Sequence, residues 1–306
     1  MNNIPDGVYP TMITPFNGDL TIDYKGLKKL IDWYAENGVA GLFAVAQSGA
    51  MFELSLQERV DLARRVREYA PKHIPVVASG HISDTLEAQE EELTAIADTG
   101  IDTLVLLTNR FATPYEGDDI WKKNMSRLLE KLPDGVPLGL YECPTPYKRV
   151  LSDNLISWIV ETGRFGFVKD TCCDPEMIKR RGALTAGSSV KLFNANAPTL
   201  LMSMQNGYAG YSGIMTNFHP QLYSWLCNNW EKEPEKAGEL QSYLSIASLI
   251  EDFGYPMNAK YALKTLGIPI GLTCRRSDMR YHQFSEYDRF LVDQFMVLSK
   301  SRIAEL

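Results

Sequence analysis

The chain has 306 residues, a hydrophobic fraction of 45%, a charged fraction of 23% and a formal net charge of −7. These proportions suit an ordinary globular protein and exclude collagen-like, disordered and disulfide-scaffold classes. The excess of 38 acidic over 31 basic residues argues against a nucleic-acid partner. No apolar run approaches the roughly 18 residues of a membrane span. Met1 to Asp6 form neither a basic flank nor an apolar stretch, so no secretory signal is expected and a cytoplasmic location is. Five cysteines (Cys143, Cys172, Cys173, Cys227, Cys274) read as reduced thiols. The histidines His73, His81, His219 and His282 show no metal-ligand spacing, so no metal site is expected.

Short apolar runs occupy 8–13, 41–46, 74–78, 103–107, 137–141, 165–168, 190–193 and 210–215, and stretches of helical period separate them. In the first such stretch, Leu27, Leu30, Ile31 and Tyr34 share a face and Gly38 marks the stop. Ser55 and Glu58 form a capping-box pattern, and Asp174-Pro175-Glu176 reads as an N-cap followed by proline at the first helical position. Strands without a polar face are parallel strands covered by helices. Eight such units predict an α/β fold, a (β/α)8 TIM barrel. An open doubly wound sheet would carry a glycine-rich loop after the first strand, and Thr14-Pro15-Phe16-Asn17-Gly18 is none. The barrel is expected over 1–232. A C-terminal helical extension is expected over 233–306, with Tyr243, Ile246, Ala247 and Ile250 on one face of its first helix. Its last helix carries Phe284, Tyr287, Leu291, Phe295 and Leu298.

In such a barrel the chemistry lies at the C-terminal strand ends. Lys169 ends an otherwise apolar run and shares a face with Phe167. Facing inward it is desolvated, its pKa falls, and the neutral amine attacks carbonyls; the plainer alternative is a rim ion pair. Tyr141 ends the preceding strand, as a proton carrier reaching across the mouth or as a core aromatic. Gln47-Ser48-Gly49 makes either a carboxylate-binding turn or an ordinary one.

These residues resemble a family. Gly7-Val8 with Thr14-Pro15-Phe16, Gly49 with Leu54-Ser55 and Glu58-Arg59, Ile74 to Gly80, Tyr141 with Pro144, Phe167-Val168-Lys169-Asp170-Thr171, and Gly207, Gly210, Asn217 and Pro220 appear in order. Together they resemble the dihydrodipicolinate synthase/N-acetylneuraminate lyase superfamily of class I pyruvate-dependent lyases. The resemblance implies that Lys169 forms an imine with pyruvate or a related 2-oxo acid, and that Tyr141 shuttles protons. It also implies that Ser48, with the N–H groups of Ser48 and Gly49, holds the carboxylate. Gln47, Gly213 and Ile214 join the expected substrate-binding set. The implied chemistry needs no cofactor beyond the lysine imine. The second substrate is an aldehyde, and the assembly a homotetramer built as a dimer of dimers.

The departures fall on the proton relay and the second-substrate site. Gln47 stands where the family has a threonine. Asn109-Arg110-Phe111 stands where the synthases have Pro-Tyr-Tyr, so Phe111 is expected at the dimer contact. Pro146 replaces an arginine, which leaves Arg110, Lys148 and Arg149 as candidates for a second acidic group. Glu142 replaces an asparagine, as an extra acid or base or as a rim ion pair. Three reactions stay open: an aldolase or synthase, a genuine dihydrodipicolinate synthase, and a 2-oxo-3-deoxy sugar acid aldolase or dehydratase. A 2-oxo acid sensor without turnover, and a phosphate-binding barrel using the 207–213 loop, are the readings from other classes.

Overall fold

The structure, a computed structural model, describes residues 4–133, 135–276 and 284–306. The histidine at 282 and the first three residues lie outside the described residues. Eight parallel strands form one sheet: β1 (Gly7–Val8), β2 (Leu42–Ala44), β3 (Val76–Ala78), β4 (Thr103–Leu107), β5 (Leu138–Tyr141), β6 (Phe165–Asp170), β7 (Lys191–Asn194) and β8 (Gly210–Tyr211). β1 pairs with β8, and a parallel bridge between Thr11 and Phe43 closes the sheet on β2. The fold is the predicted TIM barrel. The first strand is shorter than the apolar run 8–13 because Pro10 has no N–H to donate to a ladder.

Helices α1 (Tyr24–Glu36), α2 (Leu56–Tyr69), α3 (Leu86–Ala97), α4 (Asp118–Leu129), α5 (Asp153–Thr162), α6 (Pro175–Thr185), α7 (Leu200–Gln205) and α8 (Pro220–Asn229) follow the strands in turn. The local signals hold. Ser55 and Glu58 exchange both capping bonds, and the Asp174 carboxylate accepts from the N–H groups of Glu176 and Met177. Gly38 follows α1 at φ 76°, a backbone conformation glycine adopts without strain.

Aromatic rings fill the barrel. Phe167 lies 4.6 Å from Phe193, 5.4 Å from Tyr9 and 5.9 Å from Phe43 between ring centroids. Gly139 makes room for this stack, since a Cβ there would sit 3.1 Å from the Phe167 Cβ and 3.0 Å from its carbonyl oxygen. Strand alternation then puts Lys169 on the same inward face, directly above Phe167.

The extension comprises α9 (Pro234–Ala247), α10 (Met257–Thr265) and α11 (Glu286–Ala304). Its packing faces differ from the expected ones. α9 buries Ala237, Leu240, Leu244 and Ala247, while Ile246 is 71% exposed. The sequence offers two apolar stripes of equal period. Gln241 selects one by donating to the Ala197 carbonyl and accepting from the Leu201 N–H. α11 buries Val292, Phe295, Met296 and Ser299 and leaves Tyr287 and Leu298 exposed. Here the selector is Ser299, whose hydroxyl meets His219 Nδ1 at 2.9 Å and the Tyr243 hydroxyl at 3.0 Å. Among the described residues no helix is long and apolar enough to cross a membrane.

Candidate active site

At the C-terminal ends of the strands a cavity of about 400 Å³ opens above the aromatic stack. Lys169 is at its floor, only 3% exposed. Its Nζ donates to the Thr11 hydroxyl at 2.7 Å and sits over the rings of Tyr141 at 4.5 Å and Phe43 at 5.5 Å. Among the described residues no carboxylate lies within ion-pair distance of it, and it is buried rather than at the rim. Burial lowers its pKa to about 7, against weaker opposing effects of Cys143 and Glu251. A large part of the amine is therefore neutral and nucleophilic near pH 7.

Tyr141 does not reach across the mouth. It is the direct cross-strand partner of Lys169 on β5. Its ring face, rather than its hydroxyl, meets the amine, and the hydroxyl lies beside the Cys143 thiol. Burial pushes its phenol well above the ordinary tyrosine range.

The turn after β2 supplies Gln47 and Ser48 to the cavity. Gln47 donates to the Thr145 hydroxyl at 2.7 Å and accepts from the Cys143 thiol at 3.6 Å, which ties this turn to the loop after β5. Gly49 departs from expectation. Its N–H closes the turn on the Ala46 carbonyl at 2.9 Å, so it is spent, and Gly49 does not line the cavity. Its role is steric: a Cβ there would lie 2.8 Å from Thr14 Oγ1, whose hydroxyl donates to the Gly49 carbonyl. The turn is strained. Val45 and Ala50 take φ of 49° and 62°, and Cys173 across the cavity takes 57°. Positive φ in non-glycine residues costs on the order of 1–3 kcal/mol each and clusters at functional sites.

Gly213 and Ile214 line the cavity after β8, and Lys148 does so after β5. Arg110 does not. Its guanidinium pairs with Asp84 at 2.6 Å and covers the Phe52 ring. Arg149 is likewise occupied, by Asp118 and the carbonyls of Thr113 and Glu116. Phe111 is buried against Trp121 and His81 in its own chain, while Tyr115 in the same loop is 97% exposed. Glu142 is neither free acid nor rim pair. Alternation turns Glu142 and Asp170 away from the cavity, where both meet the buried Arg181 of α6 at 2.6 Å. Glu142 also accepts from the N–H groups of Leu151 and Thr171, and Asp170 from the Tyr208 hydroxyl. This buried cluster locks the strand ends that carry Tyr141 and Lys169.

Several site residues escaped the sequence reading. Thr11, the partner of the Lys169 amine beneath the cavity, was legible only as a polar residue inside an apolar run. Glu251, Asp252, Tyr255 and Arg276 come from the extension, which closes one side of the mouth. Tyr255 is held by the Asn217 amide at 3.1 Å, and the Ser48 hydroxyl is its neighbour in the cavity. Arg275 pins the returning chain to the barrel through Glu58 at 2.7 Å and the Leu20 carbonyl. No local signal marks these residues, because their position depends on how the extension docks.

A barrel with a buried lysine of lowered pKa at its floor, and a serine hydroxyl lining the same cavity, is an arrangement suited to attack on a carbonyl. The sequence pattern of the Dihydrodipicolinate synthetase family matches residues 4–282. The chain belongs to that family, whose members are class I pyruvate-dependent lyases. It is 28% identical over 277 residues to the 4-hydroxy-tetrahydrodipicolinate synthase of Pseudoalteromonas atlantica, covering 86% of this chain and 88% of that one. A dihydrodipicolinate synthase of Bacillus anthracis superposes with a TM-score of 0.86 at 20% identity, over 97% of this chain and 99% of that chain. A prophage protein of the dihydrodipicolinic acid synthase family from E. coli, solved in complex with pyruvate, gives 0.83 at 19% identity over 97% of this chain and 98% of that chain.

Proposed function

We propose that the protein makes or breaks a carbon–carbon bond through an imine between Lys169 and pyruvate or a related 2-oxo acid. The observation that carries this reading is the buried Lys169 amine, held near neutrality of charge on an aromatic floor and open to the cavity. The amine nitrogen adds to C2, and water leaves as the imine forms. The protonated imine draws electrons, so C3 loses a proton and an enamine results. The enamine attacks an aldehyde; in reverse, a 2-oxo-4-hydroxy acid is cleaved. Ser48 holds the 2-oxo acid carboxylate, and Tyr141 carries protons during water loss. The covalent imine serves in place of a cofactor.

The second substrate is an aldehyde with an anionic group, met at the mouth by Lys148. Because relatives are named 4-hydroxy-tetrahydrodipicolinate synthase, aspartate semialdehyde is the first aldehyde to try. The residues of the second-substrate site favour no single aldehyde, so sugar-derived aldehydes belong in the same trial. We infer a homotetramer as the assembly, with the exposed Tyr115 rather than the buried Phe111 in a position to meet a neighbour.

Borohydride reduction with pyruvate, read by intact mass, tests the reading. The expected result is a single adduct in the wild type that disappears in Lys169→Ala. No adduct, or an adduct that survives the substitution, refutes it. An adduct without product from any aldehyde would make the protein a 2-oxo acid sensor.

A further inference from the structure

The mouth of the cavity holds two carboxylates that the family pattern does not account for, Glu251 and Asp252, of which Glu251 is the more buried. We propose that Glu251 is the base that removes the C3 proton of the lysine-bound 2-oxo acid, a catalytic residue supplied by the C-terminal extension. This rests on the imine reading above.

The geometry follows from three fixed directions. The imine carbon has three substituents in a plane. Nitrogen lies toward Lys169 on β6, and the carboxylate lies toward Ser48 in the turn after β2. The third substituent, C3, takes the space that remains. None of the cavity-lining residues comes from the loops after β3 or β4. The lining on the remaining sides comes from the loops after β6, β7 and β8 and from the extension. Its carboxylates are Glu251 and Asp252; Asp252 is exposed to solvent, whereas Glu251 is half-buried against the cavity.

Glu251 is also placed and uncommitted. The preceding Ile250 is buried, and its carbonyl accepts from the Asn258 amide at 2.7 Å. Four residues on, Tyr255 is anchored by Asn217. Between these anchors the Glu251 carboxylate accepts no hydrogen bond from any described residue. Glu142 and Asp170, by contrast, are saturated by Arg181 and backbone N–H groups. Burial raises the Glu251 carboxyl to about 7, helped by Asp252 and opposed by Lys169. That matches a base working near neutral pH. Among the described residues, the charged or titratable groups around it are Asp252, Lys169, Lys148, Cys173, Arg276 and the phenols of Tyr141, Tyr211, Tyr223 and Tyr255. The neighbouring hydroxyl positions of the family relay are Gln47 and Phe111 here, and neither accepts a proton from carbon.

The step balances without a further reactant. The Glu251 carboxylate takes the C3 proton. The C–H electron pair becomes the C2–C3 π bond, and the C=N π pair returns to nitrogen. The neutral carboxylic acid exchanges its proton with water, so pyruvate in heavy water acquires deuterium at its methyl group.

Proton NMR of pyruvate with the full-length protein in heavy water measures this exchange, and borohydride trapping on the same samples measures the imine. The expected result is that E251Q still yields the Lys169 adduct while methyl exchange falls about 100-fold or more, and that E251D recovers part of it. Exchange in E251Q equal to the wild type overturns the inference and leaves the imine reading standing. Loss of adduct together with exchange, in both variants, also overturns it, because Glu251 would then act on the charge of Lys169 alone. A wild type that traps no pyruvate overturns the imine reading and this inference with it.

Discussion

Tyr141 and Lys169 stand opposite each other across the β5–β6 ladder, with the lysine Nζ 4.5 Å from the centre of the tyrosine ring. The ring face carries negative quadrupole and attracts the ammonium form by about 0.5–2 kcal/mol. Desolvation acts the other way and wins, since the amine falls to about 7. The tyrosine thus does two things at once. It walls the amine from water, and it limits how far the amine's pKa drops.

The first expectation concerns pH. The amine attacks only after losing its proton, so the rate of borohydride-trapped adduct formation climbs with pH, with its midpoint near 7 rather than 10.5. A midpoint above about 9 would mean that the amine is solvated. The same shift affects stability with a definite sign. The unfolded lysine holds its proton up to its ordinary pKa while the folded one releases it near 7, so this group adds to stability as pH rises between those values. Below that window the buried charge is a cost, and Lys169→Met is expected to raise stability at pH 6 by about 2–4 kcal/mol in urea denaturation.

Removing the Tyr141 hydroxyl while keeping the ring separates its two roles. Tyr141→Phe preserves the wall and should leave the midpoint of adduct formation in place. The plateau rate should fall by about 10²-fold if the phenol carries protons during water loss. Stopped-flow trapping across pH reads both quantities, and an unchanged plateau would confine Tyr141 to the structural role.

Thr11 is the hydrogen-bond acceptor of the Lys169 Nζ. Thr11→Val keeps the shape but removes the acceptor that favours the charged form. The midpoint should move below that of the wild type and the plateau should drop as the amine loses its aim. A profile identical to the wild type would show that Thr11 does not orient the amine.

Arg181 neutralises Glu142 and Asp170 in a wholly buried cluster. Arg181→Met leaves two carboxylates without a counter-charge. The expected loss is about 3–5 kcal/mol in chemical denaturation. Glu142→Gln should cost less, because the amide can still face the guanidinium.

Gly139→Ala tests the packing beneath the site. The new Cβ would press on the Phe167 Cβ and carbonyl. The expected destabilisation is about 1–3 kcal/mol. Displacing Phe167 should also disturb Lys169, two residues on, and slow adduct formation.

The amino-acid sequence alone determined the barrel, because each strand's continuous apolar run and each helix's cap are local physical signals. The alternation of Phe167 and Lys169 along β6, and the inward direction it implies, were equally legible. Ser48 was legible through the family pattern, and Lys148 as a nearby cation. What sequence could not settle was the destination of long side chains. Arg110 and Arg149 were within reach of the cavity along the chain, yet Asp84 and Asp118 hold them elsewhere. Glu142 had an ion pair in prospect, but only the position of α6 brought Arg181 under the strand and buried the pair. The extension shows the same limit at larger scale. Its first and last helices carry two apolar stripes each, and the choice fell to single polar contacts, Gln241 on α9 and Ser299 on α11. Together with the Asn217–Tyr255 bond and the Arg275–Glu58 pair, that choice brings Glu251 and Tyr255 to the mouth, some 80 residues after Lys169 in the chain. Local patterns fix what each segment becomes, whereas the meeting of distant segments is decided by which docking buries apolar surface while leaving the fewest polar groups unpaired.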